Sequence, residues 1–302
     1  MQGRLTAPHL ALILAVVAFW GYSFVLIKLA LGEVPPFALA ALRFLFAAVP
    51  ICLFVPRPRM SATAVVGYGL AIGVWQFGLL FLGMKLGMPA GLSSLAIQIQ
   101  VFFTMLLAVA VMHERLHLHN LVAAFIAAAG MVVLASYKLA TGATATFTGF
   151  VLVIAAALGW AVGNILAKRT AGEHGDMFSL VVWSSLVPPL PLALMSYVFE
   201  GGGAAWSAVT HMSLTAWVCV LGLSYGATLF GYGSWNRLLH RYPAATVSPF
   251  ALLIPATGLA SGALFLGERI SAMQAVGVAL VLLGLVVNVL PRPLRGASAR
   301  DA

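Results

Sequence analysis

The side chains able to do chemistry in this chain are sparse, and most of them sit inside long apolar runs. Trp20, Phe24 and Lys28 recur at every fourth residue and so share one stripe of a helix. Trp160, Asn164 and Lys168 repeat that pattern. Ser224, Thr228, Tyr232 and then Trp235 and Asn236 fall on one face of a later run. Ser93, Ser94, Gln98, Gln100 and Thr104 crowd another, in which Gln98 and Gln100 point roughly 200° apart. One glutamine can therefore face a cavity while the other bonds a neighbouring helix, and the sequence leaves open which does which. Gln76 and Arg43 complete the set. Amides and hydroxyls both donate and accept, indoles donate, and Arg43 adds a deep cation. Such a set suits holding a small polar solute, with Arg43 paired to a solute carboxylate or to helix carbonyls. The 7 acidic residues (Glu33, Glu114, Glu173, Asp176, Glu200, Glu268 and Asp301) all fall at run ends, in loops or in the tail. No run carries an acid that could relay protons, and no phosphate-binding glycine loop is present.

One motif points elsewhere. His113-Glu114-Arg115-Leu116-His117 spells the helical signature of a zinc metalloprotease. The later segment Gly267-Glu268-Arg269-Ile270-Ser271 keeps Glu-Arg and loses both histidines, and no run offers an acidic third ligand. The shared Glu-Arg is read as a helix-boundary device. An intramembrane protease stands only as a rival, and no metal, cofactor or catalytic residue is expected.

The elements that must carry these side chains follow from composition. Charged residues make up 8% of 302 and hydrophobic ones 62%, with a mean hydropathy of +1.05. A soluble domain carries about 25% charged residues. Apolar runs near the length that spans a bilayer, about 20 residues, follow one another almost throughout. Ten are drawn, at 9–31, 36–55, 62–84, 89–111, 118–137, 147–168, 177–199, 212–236, 244–265 and 271–290. The first is too long for a signal-peptide core and is read as a retained span. Cys52 and Cys219 lie within runs and behave as small apolar residues. The net charge of +9 is spread between runs, not gathered on a face, so no nucleic-acid partner is expected. With a cytoplasmic N-terminus the inner loops collect Arg4, Arg57, Arg59, Arg115, Lys168, Arg169, Arg237, Arg241, Arg292, Arg295 and Arg300. The outer side keeps Lys85, Lys138 and Arg269. The expected fold is all-α integral membrane, with ten transmembrane helices and both termini cytoplasmic. Lys28 then lies toward the outer end, as a substrate or gate residue or snorkelling to headgroups. Lys168, beside Arg169, is expected to snorkel at the inner end.

A repeat is visible as well. Trp20 and Lys28 answer to Trp160 and Lys168 at a spacing of 140 residues. Pro89-Ala90, Glu114-Arg115 and Gly130 answer to Pro243-Ala244, Glu268-Arg269 and Gly284 at 154. Each half, 9–137 and 147–290, holds five spans. Five is odd, so the second copy enters from the opposite face, a plan common in secondary transporters with a midplane site. Residues 291–302 form a basic cytoplasmic tail.

These same residues resemble the EamA-type drug/metabolite transporters. The resemblance rests on the Trp and Lys stripes opening each half, Leu42-Arg43-Phe44, Gly87-Met88-Pro89-Ala90-Gly91, and Glu-Arg closing the fourth and ninth spans. Within that superfamily the chain is most similar to amino-acid exporters of the cysteine/O-acetylserine type, then the aromatic amino-acid type. The resemblance implies a central cavity lined by spans 1–4 and 6–9, with spans 5 and 10 peripheral. Transport, not catalysis, is therefore expected: export of amino acids or related metabolites across the inner membrane by alternating access. The expected substrate-binding residues are Trp20, Lys28, Arg43, Gln76, Gln98, Trp160, Asn164, Ser224, Thr228, Tyr232 and Asn236. The lipid bilayer and a small solute are the expected partners, and a homodimer is compatible with the sequence. Export of another drug/metabolite class, a channel and a structural membrane subunit are the remaining readings.

Overall fold

Inside lipid an apolar run can satisfy its backbone only as a helix or in a closed barrel. The computed structural model, which describes residues 5–88, 90–114, 118–140, 146–170, 177–266 and 270–289, takes the first course and holds no strand among them. Nine helical stretches are long and apolar enough to cross a membrane. They are α1 (Ala7–Ala30), α2 (Pro36–Leu53), α3 (Ala62–Lys85), α4 (Ser93–Met112), α5 (Leu118–Tyr137), α6 (Phe147–Thr170), α7 (Met177–Glu200), α8 (Leu214–Arg241) and α9 (Ala244–Phe265). A shorter apolar helix, α10 (Ala272–Val289), follows. The chain is a multi-pass membrane protein. The tail 291–302 and the Glu268-Arg269 pair lie outside the described residues. Helix α8 runs on to Arg241, past the expected end at 236, so Asn236 sits within it.

Helices α3 and α8, and likewise α4 and α9, depart from the regular α ladder in matching ways. Ser61 and Ser213 cap α3 and α8, each accepting a 3.2 Å bond from the backbone N–H three residues on. Shortly after the cap each helix widens into a π-helical stretch, Leu70–Gln76 in α3 and Gly222–Tyr232 in α8. Helices α4 and α9 instead tighten to 3-10 geometry, at Ile97–Ile99 and Ser248–Leu253. Wide and tight turns both rotate the faces beyond them and free carbonyls, which is why such turns gather at functional sites.

Packing interleaves the two halves of the sequence. Helix α1 lies against α8 and α9, α6 against α3 and α4, α2 against α7, and α5 against α10. Small residues permit these approaches. A Cβ on Gly21 would collide with the Thr257 hydroxyl, which donates to the Val17 carbonyl at 2.9 Å and fastens α9 to α1. Glu33, in the α1–α2 connection, accepts bonds from the Ser213 hydroxyl (2.7 Å) and backbone N–H (2.8 Å) at the N-terminus of α8. Those bonds, the hydroxyl's first, hold its carboxyl below the ordinary value of 4.5. A depressed carboxyl stabilises the fold above its unfolded-state pKa and loses that contribution as pH falls through the folded value. Glu33→Gln is accordingly expected to lower thermal stability slightly at neutral pH, to converge on the parent in acid, and so to flatten the decline below pH 4.5. An acid limb identical to the parent's would remove Glu33 from the account.

Candidate substrate cavity

Trp20 is the hub of the interior. Its indole N–H donates to the Ala227 carbonyl at 2.8 Å, in the π-helical stretch of α8. Its ring meets Trp160 edge-on at 5.7 Å, Tyr232 at 5.1 Å and Trp235 at 5.2 Å. The two tryptophans that answer each other in sequence thus touch. Gln76 and Tyr232, the last residues of the two π-helical stretches, also meet, the Gln76 amide donating to the Tyr232 hydroxyl at 3.3 Å.

Beside this cluster lies a cavity of about 570 Å³, within the range of small-molecule sites. It extends along α1 from Trp20 through Phe24 to Lys28 and Gly32, and is walled by α3, α4 and α9. Of the residues expected to bind substrate, the structure brings Trp20, Lys28, Arg43, Gln76, Gln98, Trp160 and Tyr232 to its wall. Pro255, two residues past the 3-10 stretch of α9, also lines it.

The other four expected residues are buried but lie off the cavity wall. Asn164 donates to Gln100 (3.2 Å) and Thr104 (3.1 Å) and accepts from the Trp235 indole (3.1 Å), tying α6 to α4 and α8. Asn236 donates to the Tyr68 hydroxyl at 2.8 Å. Ser224 bonds back to Val220, and Thr228 accepts from Arg43 Nε at 2.7 Å. The π-helical turns take the stripe apart: a spacing of four aligns side chains in an α-helix, not in a wider one. The glutamines divide. Gln98 faces the cavity, and Gln100 belongs to the interhelical network.

Arg43 is 5% exposed, with its guanidinium 4.5 Å from the Phe77 ring and its Nε held by Thr228. Phe77, which lies in an apolar run with no polar marker, went unnoticed in the sequence. Gln98 Oε1 and Trp160 Nε1 are buried with no hydrogen-bond partner among the described residues. Unpaired buried polar atoms are costly, so a solute supplying a donor for the first and an acceptor for the second would relieve both.

At the opposite end the helices are fastened together. Lys168 does not snorkel: its ammonium contacts Glu114 Oε1 at 2.9 Å, the Leu239 carbonyl at 2.7 Å and the Tyr242 carbonyl at 2.5 Å. Glu114 Oε2 accepts from the Ala244 N–H at 2.9 Å. The cation thus caps the C-terminal carbonyls of α8 and the anion the N-terminus of α9, each at the favoured helix pole. His9 Nδ1 lies 2.6 Å from the Tyr242 hydroxyl, bringing in α1. Helix α4 ends at Met112 and His113 turns left-handed (φ 55°), so His113 and Glu114 are not on a helix. His117, the remaining residue of the metalloprotease motif, lies outside the described residues.

A multi-pass helical membrane protein with a polar-spotted cavity at its centre, fastened at one end, has the build of a solute transporter. The EamA-like transporter family model matches residues 8–136 and again 147–290, and the chain belongs to that family. A protein of Salmonella typhimurium called "Probable amino-acid metabolite efflux pump" is 44% identical, over 92% of this chain and 93% of its own. An Escherichia coli protein of the same description is 40% identical over the same shares. A crystal structure sharing 20% identity has the same fold, with a TM-score of 0.78 over 94% of this chain and 96% of that one. The family and these relatives are transporters, not enzymes, and the metalloprotease reading falls.

Proposed function

We propose that this chain exports amino acids or closely related small metabolites across the inner membrane by alternating access. The supporting observation is the asymmetry of the interior. A polar-spotted cavity lies on the Lys28 side of the Trp20–Trp160 contact, while the Lys168–Glu114 junction fastens the far side. In this reading ten helices span the membrane as two inverted repeats, 9–137 and 147–290, with both termini cytoplasmic and the Lys168 junction facing inward. Support for inversion comes from the paired π-helical and 3-10 stretches and from Trp20 meeting Trp160. The interleaved packing suggests that the moving bodies are α1/α8/α9 and α3/α4/α6, not the two sequence halves.

The solute's head is held by Arg43, Gln76, Gln98 and Tyr232, and Trp20 and Trp160 supply the apolar wall. Flux of labelled amino acids in proteoliposomes tests this. Gln98→Ala with Trp160→Ala is expected to lower flux by at least 10-fold, since each removes a buried polar group left for the solute to pair. An imposed pH gradient is expected to change nothing, because no membrane run carries a carboxylate to couple it. A double variant exporting at the parent rate would dismiss the site.

A further inference from the structure

The last turns of α8 have two faces. Trp235, Asn236, Leu238 and Leu239 are buried among the helices, while Arg237, His240 and Arg241 are exposed. The helix is regular there, so the three bases fall within one arc of about 100°. Arg43, Arg57 and Lys168 are engaged inside the protein, by Thr228, the Trp183 ring and Glu114. The bases of α8 line one end of a groove of about 900 Å³.

Three helices wall that groove: Leu12 from α1, Phe178 from α7, and Tyr225 and Phe230 from α8. Phe178, Tyr225 and Phe230 are partly exposed. Ser234 is the small residue between this apolar part and the bases. Along α8 the groove runs roughly 20 Å from Tyr225 to Arg241, against about 15 Å for the hydrocarbon of one leaflet. A single arginine at a membrane boundary meets headgroups by snorkelling and needs no site. Two arginines a helical turn apart, standing over a walled apolar groove, can hold a phosphate and the chain beneath it together.

We infer that this groove binds an anionic phospholipid, its phosphate gripped by Arg237 and Arg241 and one acyl chain lying along Phe230 and Phe178. Basic pockets between helices at a membrane surface select net-negative headgroups in this way. The described wall shares no residue with that of the solute cavity, so the inference stands apart from the export reading. The connection leading into α7 carries Glu173 and Asp176, which lie outside the described residues. Acids there that claimed both arginines would leave the groove indifferent to headgroup charge, which overturns the inference.

The test titrates the full chain in detergent with dioleoyl phosphatidylglycerol or dioleoyl phosphatidylcholine and counts bound lipid by native mass spectrometry. Phosphatidylglycerol is expected to bind about 10-fold more tightly or better. Arg237→Gln with Arg241→Gln is expected to weaken it about 30-fold, at about 5-fold for each arginine, and to leave phosphatidylcholine unchanged. Ser234→Trp keeps both charges and fills the groove, and is expected to weaken phosphatidylglycerol about 5-fold or more. Ser234→Leu, a smaller plug, takes its place should the tryptophan variant lose thermal stability. Parental binding in a plug variant of parental thermal stability overturns the inference, because the bases would then attract lipid diffusely. Equal binding of the two lipids overturns it as well. Displacement of the lipid by free glycerol phosphate would make the groove a site for soluble phosphates. A dimer that Ser234→Trp disrupts would give it to a second copy of the chain, and either result overturns the lipid assignment.

Discussion

Lys168→Met is expected to loosen the Glu114 junction by about 3 kcal/mol, the cost of stranding one member of a buried ion pair, or roughly 100-fold in its opening equilibrium. The Lys168 side chain is 9% exposed and that of Glu114 18%. Three acceptors lose a charged donor at once: Glu114 and the Leu239 and Tyr242 carbonyls. Glu114→Gln should be milder, because the ammonium keeps both carbonyls and stays at the favoured pole of α8. Exchanging the two residues should not rescue, since an acid at 168 would face carbonyl oxygens. Opening is read by alkylation of a cysteine placed at Ala245, in a Cys52→Ser, Cys219→Ala background, with a membrane-impermeant maleimide. The expected order of rates is Lys168→Met, then Glu114→Gln, then parent. Equal rates in all three would mean that apolar packing, not the ion pair, holds this end shut.

That junction shows where the sequence was legible and where it was not. Lys168 recurs as Lys28, and Glu114 as Glu268, at spacings read directly from the chain. Recurrence says that two residues matter; it does not say that they touch, because Lys168 is on α6 and Glu114 lies past the end of α4. Beside Arg169 the lysine looked like an ordinary interfacial cation, and only the carbonyls at the end of α8 give it a buried seat. The helices themselves were legible because long apolar runs have one way to satisfy their backbone in lipid. Trp20, Gln76 and Gln98 were legible for a related reason: a polar side chain deep in a run needs a partner or a cavity. The stripe from Ser224 to Asn236 misled because periodicity assumes a constant helical pitch. The π-helical stretch at Gly222–Tyr232 breaks that assumption and leaves Tyr232 alone of that stripe on the cavity wall. Nothing in residue type announces a π turn. It becomes visible only through what uses the carbonyl it frees, here the Trp20 indole on Ala227.

Gly130→Ala is expected to destabilise the protein by about 2 kcal/mol, in the range for overpacking a well-filled contact. A methyl there would sit 2.5 Å from the Gly277 carbonyl oxygen and 2.9 Å from Val281 N, and backbone cannot rotate aside as a flexible side chain can. Gly284→Ala should cost a similar amount, for the same reason seen from the other helix: its methyl would lie 2.6 Å from the Ala123 carbonyl oxygen. The contact is reciprocal. Residues 130 and 284 answer each other at a spacing of 154, and so do 123 and 277, so each glycine meets the counterpart of the other's partner. Helices α5 and α10 therefore approach through two like contacts, and widening one forces the other apart. The double variant is accordingly expected to cost less than the sum of the singles. Thermal unfolding in detergent measures all three against Gly203→Ala, whose methyl would meet nothing within 4 Å. Strict additivity would mean that the two contacts yield independently, and α5 and α10 would then be a soft seam instead of one rigid pair.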